Sequence, residues 1–189
     1  MNDKIEVVAN NLIKKYNFVT SRETEIIYYF NGKIYDSKNS ISIIKEHTEI
    51  QILNCTVKDR NEVIGKIKSK TYRDLKDFDN NPFRYTLENG ILDIKKMKLT
   101  PHTSKNLTKI LIPCSFYPPK PNDLKKTLFW KYLTSSFTIN ENTNKENIET
   151  VIEMMASTFI RQSIDEKSFI NLGDGENGKS VLLDYLSKM

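Results

Sequence analysis

The residues with the clearest chemical meaning form a glycine-rich loop near the end of this 189-residue sequence. The stretch GDGENGKS, residues 173–180, matches GxxxxGK followed by Ser or Thr at every fixed position. Glycines let successive backbone N–H groups point at phosphate oxygens, and a following helix adds the positive end of its dipole. The apolar run "SFINL" before the loop and "SVLLDYLSKM" after it predict a strand, a phosphate-binding loop and a helix.

Each loop residue has an expected role at a nucleotide site. Lys179 is placed to reach the β- and γ-phosphates of ATP, and Ser180 supplies a hydroxyl for the Mg²⁺ bound with the nucleotide. The alternative is a strand-to-helix turn that binds no ligand. The predicted nucleotide-binding residues are Gly173, Asp174, Gly175, Glu176, Asn177, Gly178, Lys179 and Ser180.

A complete catalytic set is not predicted in this stretch of sequence. In the common P-loop fold, the acidic motif that holds Mg²⁺ and the completing arginine lie on later strands. The upstream acids Asp165 and Glu166, and Asp174 within the loop, do not fit that role. We therefore expect the chain to be the front part of a longer ATPase, binding nucleotide poorly and hydrolysing none by itself.

Charge is distributed unevenly along the sequence, whose net charge is +5. Residues 95–131 contain nine lysines and one acid, Asp123, whereas residues 141–176 contain eight acids and three basic residues. The basic stretch could track DNA phosphates, with Phe116, Tyr117, Phe129 and Trp130 stacking on bases. The alternative is a solvated lysine face over core aromatics, in a protein whose lysine excess partly reflects AT-rich codons. The candidate DNA-binding residues are Lys95, Lys96, Lys98, Lys105, Lys109, Lys125 and Lys126.

Several classes of protein are disfavoured by composition. No apolar run approaches the roughly 18 residues of a membrane-spanning helix. The start "MNDKIEVVAN" lacks the features of a secretory signal. Cys55 and Cys114 lie far apart and, with His47 and His102, form no zinc pattern. These features favour a cytoplasmic protein with no membrane partner.

Hydrophobic spacing predicts helices and hairpins in the first half. An amphipathic helix is expected near the start, capped by Asn2 or Asp3, with a face formed by Ile5, Val8, Ala9, Leu12, Ile13 and Tyr16. Asn31-Gly32 predicts a hairpin with a two-residue type I′ turn. "SIIKEHTEI" could begin a helix, and "NEVIGKIKSKT" places Val63, Ile64 and Ile67 on one helical face.

The second half predicts another hairpin followed by helices. Asn89-Gly90 marks the turn, and "TKILIPCSFYPPKP" is expected to add a strand before a proline-rich loop. A helix near "DLKKTLFWKYLTSSF" should bury Leu124, Leu128 and either Trp130 or Lys131. Thr143 and Glu146 form a capping-box pattern before a further helix. The expected face of that helix is Ile148, Val151, Ile152, Met155 and Phe159.

Together these elements predict an α+β fold in three parts. Residues 1–75 form a helix and hairpin subdomain, residues 76–165 form a hairpin plus helical subdomain, and residues 166–189 begin a P-loop ATPase domain. The first helix, the "FNGK" hairpin and the basic helix at 60–70 could form a winged-helix-like unit. That unit would act as a DNA-binding module without ATPase activity. A small-molecule kinase is a third hypothesis, although the phosphate-binding loop of such a kinase would normally lie near the start of the domain.

Several segments resemble one family of replication proteins. The Asn-Gly-Lys-Ser ending of the loop resembles the "GxGxNGKS" form of superfamily 3 helicases, specifically the C-terminal helicase part of phage, plasmid and poxvirus-type primases. The other resembling segments are "LENGILDIKKMKLTPHT", "ILIPCSFYP", "ENIETVIEMMASTFI" and "IIYYFNGKIYD". The usual "GY" is missing from the helix before the loop, Pro119 and Lys120 depart from the family pattern, and no primase palm motif is present.

The resemblance implies an ATP-driven, ring-forming DNA helicase that replicates a virus, plasmid or other mobile element. Residues 1–165 would be the collar domain that helps to assemble a hexameric ring and contacts DNA. Gly173, Gly178, Lys179 and Ser180 carry over as nucleotide-site residues, and Asn177 carries over as a motif residue.

Overall fold

A computed structural model describes residues 2–120, 122–139, 142–160, 169–170 and 178–188. Contacts divide the chain into two units, Met1–Phe116 and Tyr117–Met189. The described part combines helices with small sheets, which confirms the α+β class. The predicted boundaries after residues 75 and 165 stay predictions. None of the described helices is long and apolar enough to cross a membrane.

Three helices pack on a four-stranded sheet in the first unit. The helices are α1 (Asn2–Tyr16), α2 (Ser40–Gln51) and α3 (Val57–Thr71); the strands are β1 (Val19–Ser21), β2 (Ile27–Phe30), β3 (Tyr35–Asp36) and β4 (Tyr72–Arg73). The strand order is β3-β2-β1-β4, and only β4 runs parallel to its neighbour, β1. The shared core is formed by Ile5, Val8, Ala9, Leu12, Phe18, Ile27, Ile44, Val63 and Ile67.

The amphipathic patterns of α1 and α3 are confirmed by this core. The predicted α1 face is buried or packed against the cluster, and Val63 and Ile67 of α3 are fully buried. The start of α1 differs from the prediction, since the helix already includes Asn2 and Asp3. The start of α3 is fixed by a capping box. Thr56 accepts a hydrogen bond from the Asp59 N–H, and the Asp59 carboxylate accepts one from the Thr56 N–H.

The first hairpin forms, but its turn lies one residue later than predicted. Phe30 pairs with Tyr35, which leaves Gly32 and Lys33 as the central residues of the turn. The Asn31 side-chain oxygen accepts hydrogen bonds of 3.0 Å from the N–H groups of Lys33 and Ile34. Asn31 therefore stabilises the turn from its edge, and the predicted type I′ turn at Asn31-Gly32 is wrong.

A second sheet contains β5 (Arg84–Leu87), β6 (Gly90–Asp93) and β7 (Lys98–Thr100), each antiparallel to the next. Leu87 pairs with Gly90, so the turn lies at Glu88-Asn89 and the predicted turn at Asn89-Gly90 is wrong by one residue. Gly90 has φ +151°, and a Cβ added there would lie 2.5 Å from the carbonyl oxygen of Thr100. Glycine is thus required for the close approach of β6 and β7.

Residues 101–116 form hydrogen bonds to both sheets of the first unit without forming a regular strand. Thr108 accepts a hydrogen bond from the Tyr35 N–H at 2.8 Å, while the Ile112 N–H donates to Thr86 at 2.9 Å. Ile112 forms only an isolated bridge with Leu87. The strand predicted in this segment therefore forms only as that one-residue bridge, because the residues before it bond to the first sheet instead.

The second unit has a 3-10 turn (Leu124–Lys126), α4 (Leu128–Ser136), β8 (Thr138–Ile139), β9 (Asn142–Thr143), α5 (Lys145–Thr158) and α6 (Lys179–Ser187). Its core is formed by Leu133, Ile148, Val151, Met154, Met155 and Leu182. The face predicted for α4 is partly wrong. Leu128 is 82% exposed, and Leu133 is buried instead, because the helix begins only after the 3-10 turn. Of the other predicted residues, Leu124 and Lys131 are exposed, whereas Trp130 packs against the core.

The predicted α5 helix is confirmed with a different cap. The side chain of Asn144, rather than Thr143, accepts the N-terminal hydrogen bond, from the Asn147 N–H at 3.0 Å. Thr143 pairs instead with Thr138 in the β8–β9 hairpin. Phe159 at the end of the predicted face is 46% exposed.

Candidate nucleotide site and basic surfaces

The described end of the glycine-rich loop is Gly178, which forms the N-cap of α6 with φ +80°. Its carbonyl accepts hydrogen bonds from the Tyr132 hydroxyl at 2.6 Å and from the Leu182 N–H at 3.1 Å. A Cβ at this position would lie 2.9 Å from a ring carbon of Tyr132. Both the left-handed backbone and the neighbouring ring therefore favour glycine here.

Packing fixes α6 against the other helices of the second unit. Leu182 is buried among residues of α4 and α5, with Leu186 packed against the same cluster. Tyr185 stacks on Phe129 with ring centroids 5.1 Å apart. These contacts hold the helix that follows the loop, which confirms the helix predicted from "SVLLDYLSKM".

Only part of the predicted nucleotide site can be located. Gly173, Asp174, Gly175, Glu176 and Asn177 lie outside the described residues. Lys179 is half-buried and Ser180 is exposed, both in the first turn of α6, where backbone N–H groups lack helical acceptors. In the preceding "SFINL" stretch only Phe169 and Ile170 are described; both are exposed and neither is in a strand. ATP and Mg²⁺ binding therefore stay predictions.

Metal-binding side chains do not gather elsewhere in the described ranges. No group of three or more His, Cys, Asp or Glu residues within them is placed to hold a metal ion.

Three of the predicted DNA-binding lysines meet at the turn between β6 and β7. Lys95, Lys96 and Lys98 are all exposed, and Asp93 pairs with Lys98 across the strands, so the connecting loop spans residues 94–97. The Lys95 ammonium lies 3.7 Å from the centroid of the Phe83 ring. Arg84 lies opposite Asp93 on β5, with a distance of 3.9 Å between Arg84 Nε and a carboxylate oxygen of Asp93. We call Arg84, Lys95, Lys96 and Lys98 the hairpin end.

The other predicted lysines lie elsewhere. Lys105 is exposed in the turn at residues 104–106, and the Lys109 ammonium lies 4.9 Å from the Phe78 ring centroid and 5.7 Å from that of Tyr28. Lys125 and Lys126 are exposed on the 3-10 turn of the second unit. The single surface of seven lysines therefore stays a prediction.

The aromatic residues predicted to stack on bases are mostly packed in cores. Phe116 packs against the second sheet, and Phe129 and Trp130 pack against the helical core of the second unit. Only Tyr117, with 75% of its surface exposed, is available for stacking. For the first three residues, the core interpretation therefore fits better.

A second set of lysines lies on α3 and differs from the hairpin end in its partners. Lys66 and Lys70 both form ion pairs with Glu6 of α1, and Lys68 pairs with Glu25 at 3.1 Å. We call Lys66, Lys68 and Lys70 the α3 face. The hydrogen bond from Lys70 is the main cause that lowers the pKa of Glu6, and the Tyr72 hydroxyl followed by Lys68 does the same for the pKa of Glu25. These two carboxylates therefore offset most of the charge of the three lysines at neutral pH.

Sequence reasoning missed two residues at these sites. Tyr132 contacts Gly178 from α4, and its place three residues after Phe129 on the same helical face was the available signal. Arg84 lies outside the basic stretch 95–131 and joins the lysines through the pairing of β5 with β6, which sets it opposite Asp93. The hairpin predicted around residues 89–90 was the available signal.

Comparison with known families gives a match over most of the chain. A family model described as "D5 N terminal like" matches residues 10–138, more than half of the chain. A comparison with curated proteins found no match. The matched range includes the hairpin end and the α3 face, and it ends before the glycine-rich loop.

Proposed function

We propose that this chain, which belongs to the D5 N-terminal-like family of primase-helicase replication proteins, acts as part of an ATP-dependent DNA helicase. The parent enzyme would replicate the DNA of a virus, plasmid or other mobile element. Residues 1–165, which include the range matched by the family, would form the collar, and residues 166–189, with the loop at 173–180, would begin the ATPase domain. Hexameric ring assembly of the parent is part of the same proposal.

Family membership is the observation that carries this proposal. Because the family replicates DNA, we interpret the GxxxxGKS loop as the nucleotide-binding loop of a replication enzyme. Gly178, with its left-handed backbone at the start of a packed helix, supports the phosphate-binding role of the loop. A small-molecule kinase would not explain the family match upstream of the loop.

The nucleotide role is tested by replacing Lys179 in the full-length protein. Lys179→Ala should reduce DNA-stimulated ATP hydrolysis by roughly 100-fold or more, because a positive charge at the transferred phosphate is lost. DNA binding should be largely retained.

The matched control for this experiment is Lys188→Ala. Lys188 lies one residue after the same helix, and among the described residues it pairs only with Asp184, at 2.9 Å on an exposed surface. Such a pair contributes little, so turnover should stay near that of the wild type. Near-wild-type hydrolysis by Lys179→Ala would contradict the assigned role. Loss of hydrolysis in both variants would point to a damaged helix instead.

A further inference from the structure

The hairpin end concentrates positive charge on a rigid element. Directly opposed residues in neighbouring strands point to the same face of a sheet, so Arg84, Asp93 and Lys98 form one row across β5, β6 and β7. Lys95 and Lys96 follow in the adjoining loop. Four cations thus lie in or next to the row that contains Asp93, and the ladder hydrogen bonds of three strands fix the backbones of Arg84 and Lys98.

These cations keep most of their charge available for a ligand. Within the described ranges, Lys95, Lys96 and Lys98 form no ion pair with an acid within 4.0 Å, and Arg84 has only the 3.9 Å contact with Asp93. Lys95 interacts with the Phe83 ring, which positions its ammonium without neutralising it. The α3 face, by contrast, has a carboxylate partner for every lysine.

The surroundings of the hairpin end favour a duplex over a single strand. Proteins that bind single strands combine cations with exposed aromatic rings on which bases stack. No aromatic residue in the described part of the first unit is strongly exposed. Phe83 is half-buried beneath Lys95. Met97 is the exposed hydrophobic residue at the turn. Cations without a stacking platform suit the phosphates of a double helix.

We propose that the hairpin end is the surface through which the first unit binds the phosphate backbone of duplex DNA. This inference rests on the proposed function, and it assigns the contact to Arg84, Lys95, Lys96 and Lys98 in place of the α3 face. The contact is independent of base sequence, because charged side chains that reach phosphates carry no direct sequence information.

The test measures binding of the whole chain to a labelled duplex of about 20 base pairs and to one of its single strands. Fluorescence anisotropy is recorded between about 50 and 200 mM salt. The hairpin variant combines Lys95→Gln, Lys96→Gln and Lys98→Gln. The matched control combines Lys66→Gln, Lys68→Gln and Lys70→Gln, which removes the same number of charges from the α3 face.

The expected result is a clear difference between the two triple variants. Each phosphate contact contributes about 0.9 to the slope of log K against log salt, so the hairpin variant should lose roughly 2–3 from the wild-type slope. Its affinity for the duplex at low salt should fall by more than about tenfold. The control should keep the wild-type slope. Circular dichroism of both variants confirms that they are folded, and Arg84→Lys, which keeps the charge, should bind like the wild type.

Three other outcomes separate the two proposals. If the wild type binds DNA with a steep salt dependence and the hairpin variant keeps it, the hairpin assignment is overturned while the proposed function stands. Much tighter binding to the single strand than to the duplex would overturn the choice of duplex. If the wild type binds neither the duplex nor the single strand at low salt, this chain does not contact DNA. That result would contradict both this part of the proposed function and the hairpin assignment.

Discussion

The α3 face and the hairpin end are both rich in lysine, and they differ in what surrounds that charge. Lys66, Lys68 and Lys70 are held by carboxylates from α1 and from the segment after β1, whereas Lys95, Lys96 and Lys98 have no such partner among the described residues. Lysine content therefore does not measure the charge that a surface can offer to DNA. The partners of each lysine decide whether it stabilises the fold or remains available for a phosphate.

The largest expected effect on stability comes from replacing a glycine in each of these two regions with alanine. Gly90→Ala should lower the free energy of unfolding by about 2–4 kcal/mol, since it strains a backbone at φ +151° and places a Cβ against the Thr100 carbonyl. Gly65→Ala in the middle of α3 should raise it by up to about 1 kcal/mol, since nothing lies within 4 Å and alanine favours the helix. Urea unfolding followed by far-UV circular dichroism measures both changes.

Gly90→Ala also tests the dependence of the hairpin end on strand geometry. If β6 and β7 separate, DNA affinity should fall even though no charged residue has changed. Equal unfolding midpoints for Gly90→Ala and the wild type would show that the close approach of β6 and β7 is not required. Trp130, the single tryptophan, lies in the second unit, so its fluorescence provides a separate signal from that unit.

A smaller effect is expected when the partners of the α3 face are removed. The double variant Glu6→Gln and Glu25→Gln keeps every lysine and leaves Lys66, Lys68 and Lys70 without their carboxylates. Duplex affinity should rise by about threefold to tenfold near 0.1 M salt, because each new phosphate contact can contribute at most about one factor of ten there. Anisotropy titrations measure the change.

The matched control for this double variant is Glu88→Gln, which frees Lys33 from a single ion pair. It should raise duplex affinity less than the double variant does. If removal of both partner carboxylates leaves duplex affinity unchanged, ion pairing is not what keeps the α3 face from binding DNA. The orientation of α3 would then have to account for it.

Local patterns were predictable from the sequence, and pairings across the chain were not. The spacing of Ile5, Val8 and Leu12 identified the buried face of α1, because a helix repeats every 3.6 residues whatever it packs against. The ion pair between Glu6 and Lys70 joins residues 64 positions apart, so it depends on how α1 and α3 pack. Single-sequence patterns carry no information on that geometry.

The glycines show why site residues were harder to predict than helices. Asn-Gly favours a two-residue turn, yet Asn31 stabilises its turn from the edge and Gly90 lies within a strand. Gly90 is required by the carbonyl of Thr100, ten residues further along the chain, which local turn rules do not consider. Arg84 lay outside the predicted DNA-binding set because that set was chosen from charge along the chain, whereas Arg84 joins the lysines through strand pairing.

The smallest expected effect is the response of the α3 face to acid. The pKa values of Glu6 and Glu25 are lowered in the folded chain, so the unfolded chain takes up protons at a higher pH than the folded one. Their contribution to stability is complete above the unfolded pKa of about 4.3 and is lost as the pH falls through the lowered folded values. Thermal unfolding between about pH 7 and pH 3 should therefore show a steeper acid loss in the wild type than in the Glu6→Gln and Glu25→Gln variant. Parallel curves would mean that these exposed pairs are too well screened by solvent to matter, and that the α3 lysines are held by packing rather than by charge.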